Sequence, residues 1–218
     1  LSNDAKTALL TDIAAPLSAI PGFSTAEVTP LGTGAIVTGT TATDILNGTA
    51  AGEVIYGNGG ADLINGGAGA DTIVITDTGT TAANSATVLL TSIADGTDTV
   101  IGFSAAPVAN GGDVLDLSAI ANLLDAVATG QTLTTDFVAA NVFIFDATPV
   151  TIADAANAIA ADVSVTATDG YIVIADSVNA NAVTLYHSTD LAANGTETAL
   201  AILSGVNIVQ LTAGNILV

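Results

Sequence analysis

The sequence predicts an all-β chain: a parallel β-roll near its middle, continuing into a β-rich C-terminal part, with one or two short helices. Three observations carry this. Residues 39–74 fall into four consecutive nine-residue units, GTTATDILN, GTAAGEVIY, GNGGADLIN and GGAGADTIV. Every unit has glycine first, an acid sixth (Asp44, Glu53, Asp62, Asp71) and a large aliphatic eighth (Leu46, Ile55, Ile64, Ile73). The C-terminal part carries β-branched and aromatic runs of strand length. A fixed period of nine with an aliphatic in constant register is the pattern of a coiled parallel sheet. A glycine-rich linker has no reason to hold that register four times.

The elements run in order from the N-terminus. Residues 1–15 predict a short helix capped by Ser2 or Asn3, with Leu9, Leu10 and Ile13 on one face. Pro16, Pro21 and Pro30 break the next stretch into an irregular connection, so residues 1–35 form an N-terminal helix and linker. Gly34–Val37 starts the first strand. Each repeat is then a six-residue turn and a three-residue strand, with two repeats to a coil, so turns one and three stack on one side and turns two and four on the other. Residues 36–121 comprise this roll and its closing strands. Within them, the Ala/Thr/Ser-rich part of Ile75–Ile120 reads as a surface loop. It precedes DGTDTVIGF (Asp95–Phe103) and GGDVLDLSAI (Gly111–Ile120).

Residues 122–218 form the C-terminal part. Val142–Phe145, Tyr171–Ala175 and Ala182–Tyr186 are the predicted strands, and Asp169-Gly170 is a hairpin signal. Thr151–Ala160 reads as a helix, with a capping Thr, Asp154 in its first turn, and Ile152 and Ile159 one heptad apart. The last segment, ILSGVNIVQLTAGNILV, is uncharged and strand-like.

Composition excludes several function classes. The 218 residues hold 21 acids and one basic side chain, Lys6, for a net charge of −20. Carboxylates here must be solvated, bonded to backbone N–H groups, or bound to a metal. Nucleic acid and anionic membranes are poor partners, because binding them takes lysine and arginine. Self-repulsion at this charge opposes compaction, and divalent cations relieve it. Half of the chain is nevertheless hydrophobic, which excludes a disordered acidic tail. Cysteine is absent, excluding thiolate chemistry, cysteine-based zinc sites and disulfides. The most apolar stretch, Thr198–Val218, is interrupted by Ser204, Gly205, Asn207, Gln210, Thr212, Gly214 and Asn215, which argues against membrane insertion.

The repeats suit one ligand. Glycine permits positive φ, so a turn can aim several carbonyl oxygens at one point. The sixth-position carboxylate closes an all-oxygen cage, which suits a hard cation such as Ca²⁺. The candidate ligands are the carboxylates of Asp44, Glu53, Asp62 and Asp71 and the backbone at Gly57, Gly59, Gly66 and Ala68. Asp44 is expected to share a site with the Asp62 turn, and Glu53 with the Asp71 turn. Two to four ions are expected.

This stretch resembles the RTX family of secreted proteins, whose consensus is GGxGxDxUx with U a large apolar residue. GGAGADTIV matches at every fixed position; GNGGADLIN departs only at Asn58. The first two units keep glycine, acid and aliphatic but lose the second glycine and the fourth. The phrases DGTDTVIGF and GGDVLDLSAI resemble the segment that follows such repeats, and the resemblance implies ligand roles for Asp98 and Asp113. Asp is also an ordinary turn former before strands, and both readings stand. The final segment resembles the uncleaved signals of type I secretion.

No catalytic site is expected. The single histidine, His187, is read as a partly exposed strand residue, and no nucleophile elbow, HExxH or phosphate loop is present. The resemblance implies a secreted, calcium-folded structural protein of the bacterial cell surface, such as an S-layer or matrix subunit. Such a subunit forms homo-oligomers through calcium-bridged acidic surfaces, with cell-surface polysaccharide as a further partner class. The alternative is the C-terminal export and folding module of a larger adhesin, toxin or hydrolase.

Overall fold

The computed structural model describes residues 35–76, 80–120, 127–131, 142–145, 150–162, 165–166, 169–175, 181–193 and 195–217. The helix expected over residues 1–15 and the proline-rich connection lie outside them.

The repeats give strands of three residues, as a six-residue turn in a nine-residue unit requires. β1 (Ile36–Thr38) enters them; β2 (Ile45–Asn47), β3 (Val54–Tyr56), β4 (Leu63–Asn65) and β5 (Thr72–Val74) each close one unit. Pairing is parallel and links every second unit. Val37 stands beside Ile55 and Ile55 beside Ile73, while Leu46 stands beside Ile64. Successive strands therefore alternate between two sheets.

The alternation continues beyond the repeats. β6 (Thr87–Leu89) pairs with β4, β7 (Asp98–Ile101) with β5, and β8 (Val114–Asp116) with β6, all parallel. β6 lies in the stretch that the sequence marked as surface loop. Its three residues carry no glycine-acid frame, and only the register of Val88 against Ile64 reveals it.

The first sheet then grows through β9 (Val127–Gln131), β10 (Val142–Phe145), β11 (Gly170–Ala175), β12 (Ala182–Ser188) and β13 (Glu197–Ser204) to nine strands, ordered β1-β3-β5-β7-β13-β12-β11-β10-β9. β14 (Ile216–Leu217) ends the second, ordered β14-β8-β6-β4-β2. The class is all-β: the first sheet is mixed, the second is parallel, and the described residues hold one α-helix, α1 (Ile152–Ala161). Strands on either side of residue 121 share a sheet, because β13 pairs parallel with β7, Ala201 beside Asp98.

Two sequence expectations change in the C-terminal part. Asp169-Gly170 does not turn a hairpin: it leads into β11, which runs parallel to β10. Parallel neighbours need a crossover, and α1 supplies it. The hairpin partner of β11 is β12. The last segment is also not one strand. Its first residues finish β13, then two 3-10 turns (Ile208–Gln210, Ala213–Asn215) precede β14.

The eighth-position aliphatics stack inside. Ile55, Ile64, Ile73, Val88, Val100 and Leu115 are wholly or almost wholly buried in one core that also takes Val173, Leu185 and Leu203. Each such side chain contributes about 1.5–3 kcal/mol by leaving water. A second core lies between α1 and the other face of β10 and β11, where Phe143, Phe145, Ile172 and Ile174 meet Ala155, Ala156 and Ile159. The Thr151 hydroxyl caps α1 by accepting from the Asp154 N–H.

Candidate metal centre

The acid of each turn stands just before its strand, so stacking coils stack acids. Asp44 and Asp62 lie on one side; Glu53, Asp71 and Asp98 form a column on the other. One carboxylate oxygen of each lower acid reaches back a coil. Asp62 Oδ1 accepts from the Asp44 N–H at 2.9 Å, Asp71 Oδ1 from the Glu53 N–H at 2.6 Å, and Asp98 Oδ1 from the Asp71 N–H at 3.0 Å. These bonds hold like charges close together. The chain's only lysine, Lys6, lies outside the described residues, and the chain has no arginine.

Burial and repulsion both disfavour the ionised forms. Asp62 and Asp71 are pushed above the usual carboxylate range, chiefly by burial, with Asp44 adding charge repulsion at the first and Glu53 and Asp95 at the second. Asp98 is pushed up to about 7, again chiefly by burial, with Asp71 and Asp95 adding to it. Asp95 is a contributor that the sequence reading missed. Its signal was available in DGTD, where the register of Thr72 beside Thr99 makes Asp98 the sixth-position equivalent and leaves Asp95 in the turn above.

The decisive atoms are Asp62 Oδ2 and Asp71 Oδ2. Both are buried and have no hydrogen-bond partner among the described residues. Asp62 Oδ2 lies 2.8 Å from where a Cβ on Gly57 would stand, and Asp71 Oδ2 crowds the same point at Gly66. Glycine at position one keeps the space beside the carboxylate open. The carbonyls of Gly57 and Gly66 face Gly39 and Gly48 of the preceding turn on the same side. Position two is left-handed in both turns, at Asn58 (φ 66°) and Gly67 (φ 85°), and Gly59 is left-handed as well. The Ala68 N–H donates to Thr49 O at 2.9 Å. An anionic oxygen left unpaired in the interior costs several kcal/mol, and a hard cation is the partner such oxygens take. These residues fit Ca²⁺.

The other candidates are engaged differently. Asp44 Oδ2 accepts from the Thr40 N–H at 2.6 Å and the Thr40 hydroxyl at 2.8 Å. Glu53 accepts from the Thr49 N–H and the Thr49 hydroxyl, each at 2.7 Å. Both oxygens of Asp113 take amides, from Ala86 at 2.9 Å and Ser104 at 2.7 Å, so this residue ties β6 and β8 together. Among the described residues no three acidic or histidine side chains converge on one point. A cage here would hold one carboxylate per turn and complete its shell from backbone carbonyls.

His187 is not partly exposed, as the sequence suggested. It is buried on β12, its Nε2 bonded to Asp169 Oδ1 and its ring 5.4 Å from that of Tyr171. Antiparallel pairing sets Tyr171 opposite His187, a partnership that sequence neighbours could not reveal.

No protein-family model matches the chain, and no curated protein matches its sequence. No helix among the described residues is long and apolar enough to cross a membrane.

Proposed function

We propose that the repeats form a calcium-binding parallel β-roll of the RTX type, and that the chain is a secreted structural subunit of a cell surface or extracellular matrix. The observation that carries this is the pair of buried, unpartnered oxygens Asp62 Oδ2 and Asp71 Oδ2 in a chain with no arginine and one lysine. Where calcium is scarce, stacked acids repel and weaken the fold, which keeps the chain exportable by a type I route. Outside the cell, sites of this class bind with Kd of about 10⁻⁴–10⁻³ M. At roughly ten to a hundred times Kd, each occupied site adds about 1.4–2.7 kcal/mol to the folded state. Two such sites supply a sizeable share of the net stability of a domain. No catalytic role is proposed.

A calcium titration of the purified chain, from EDTA upward, followed by circular dichroism and light scattering, tests this. A gain of ordered structure with growth of large ordered particles is the expected result. Folding to a stable monomer would instead support an export and folding module of a larger protein. Absence of any response to calcium would overturn the calcium reading itself.

A further inference from the structure

We infer that Thr40 and Thr49 stand in for a bound cation, so that the first coil of the repeats is independent of calcium and only the turns ending in Asp62 and Asp71 require it. This rests on the calcium reading of those two turns.

Turns one and two differ from turns three and four at position two, and the difference is chemical. Thr40 and Thr49 each offer two donors, the backbone N–H and the hydroxyl, to the acid four residues on. Neither threonine has positive φ, which directs its N–H at the carboxylate. At Asn58 and Gly67 the backbone is left-handed, no hydroxyl is present, and the facing oxygen is the unpartnered Oδ2. The same staple recurs where the Thr91 hydroxyl donates to Asp95 Oδ2 at 3.0 Å, again four residues on. A second substitution of this kind joins turns one and three: the Asn58 amide donates to Gly39 O at 3.1 Å. Donors that a chain carries permanently need no ion. The first coil can therefore form in chelator and present its edge to the next coil.

The test compares two sets of variants in the full chain, with calcium counted by isothermal titration calorimetry and thermal midpoints read in EGTA and in calcium. Glu53→Gln and Thr49→Val are expected to leave the calcium count unchanged and to lower the midpoint in both conditions by about 2–4 °C, the effect of losing about one hydrogen bond's worth of stability in a chain of this size. Thr49→Ser keeps the hydroxyl and is expected to behave like the natural chain, which separates the staple from simple packing. Asp62→Asn and Asp71→Asn are each expected to lose one calcium. Loss of one calcium in Glu53→Gln would overturn the inference while leaving the calcium reading intact. Absence of any calcium uptake by the natural chain would overturn both.

Discussion

Asp71→Asn is expected to change stability in opposite directions with and without calcium. The asparagine carbonyl can keep the 2.6 Å bond from the Glu53 N–H. What changes is the second position, where an unpartnered buried carboxylate oxygen becomes a neutral amide group. An unpaired buried charge costs several kcal/mol, and an unsatisfied buried amide about 1–3 kcal/mol. In EGTA the variant should therefore be the more stable, by about 1 kcal/mol. Repulsion from Glu53 and Asp95 is relieved in the same direction. In saturating calcium the sign reverses, because a site worth about 1.4–2.7 kcal/mol is weakened. For a chain of this length each kcal/mol moves the midpoint by about 2–4 °C. Thermal unfolding followed by circular dichroism in both buffers reads the two shifts. Destabilisation of equal size in both would refute the reasoning, since it would make the carboxylate a purely structural acceptor.

Acidification in EGTA should stabilise the fold. The folded-state pKa of Asp98, about 7, lies above its ordinary value of 3.8. The proton is thus bound more tightly when folded, and the stabilisation is full below pH 4 and lost as pH rises through 7. A shift of this size corresponds to about 4 kcal/mol. Urea unfolding at pH 5 and pH 8 samples about 2–3 kcal/mol of this, with a higher midpoint expected at pH 5. Ile73→Ala removes a fully buried member of the stack between Ile55 and Val100 and should cost about 2–5 kcal/mol at any calcium level, read as a lower urea midpoint in both buffers.

The period of nine settled a good deal by itself. It located four strands of the repeats to the residue, because glycine, acid and aliphatic recur in a rigid frame. It also set which of them pair, since two short turns bring the chain back to the same side. α1 was legible from its Thr151 cap and heptad-spaced isoleucines. Legibility failed where structure depends on partners distant in sequence. β6 has no glycine-acid frame and exists because β4 and β8 flank it. The parallel course of β10 and β11 is imposed by α1 crossing over the sheet, which overrides the local turn preference of Asp169-Gly170. The sequence also treated the four repeat acids as equivalent ligands with graded fit to a consensus. Only the tertiary structure separated them. A carboxylate's need for a cation depends on which donors already reach its oxygens, and those are decided by backbone angles at position two: right for a staple at Thr40 and Thr49, left-handed and turned away at Asn58 and Gly67.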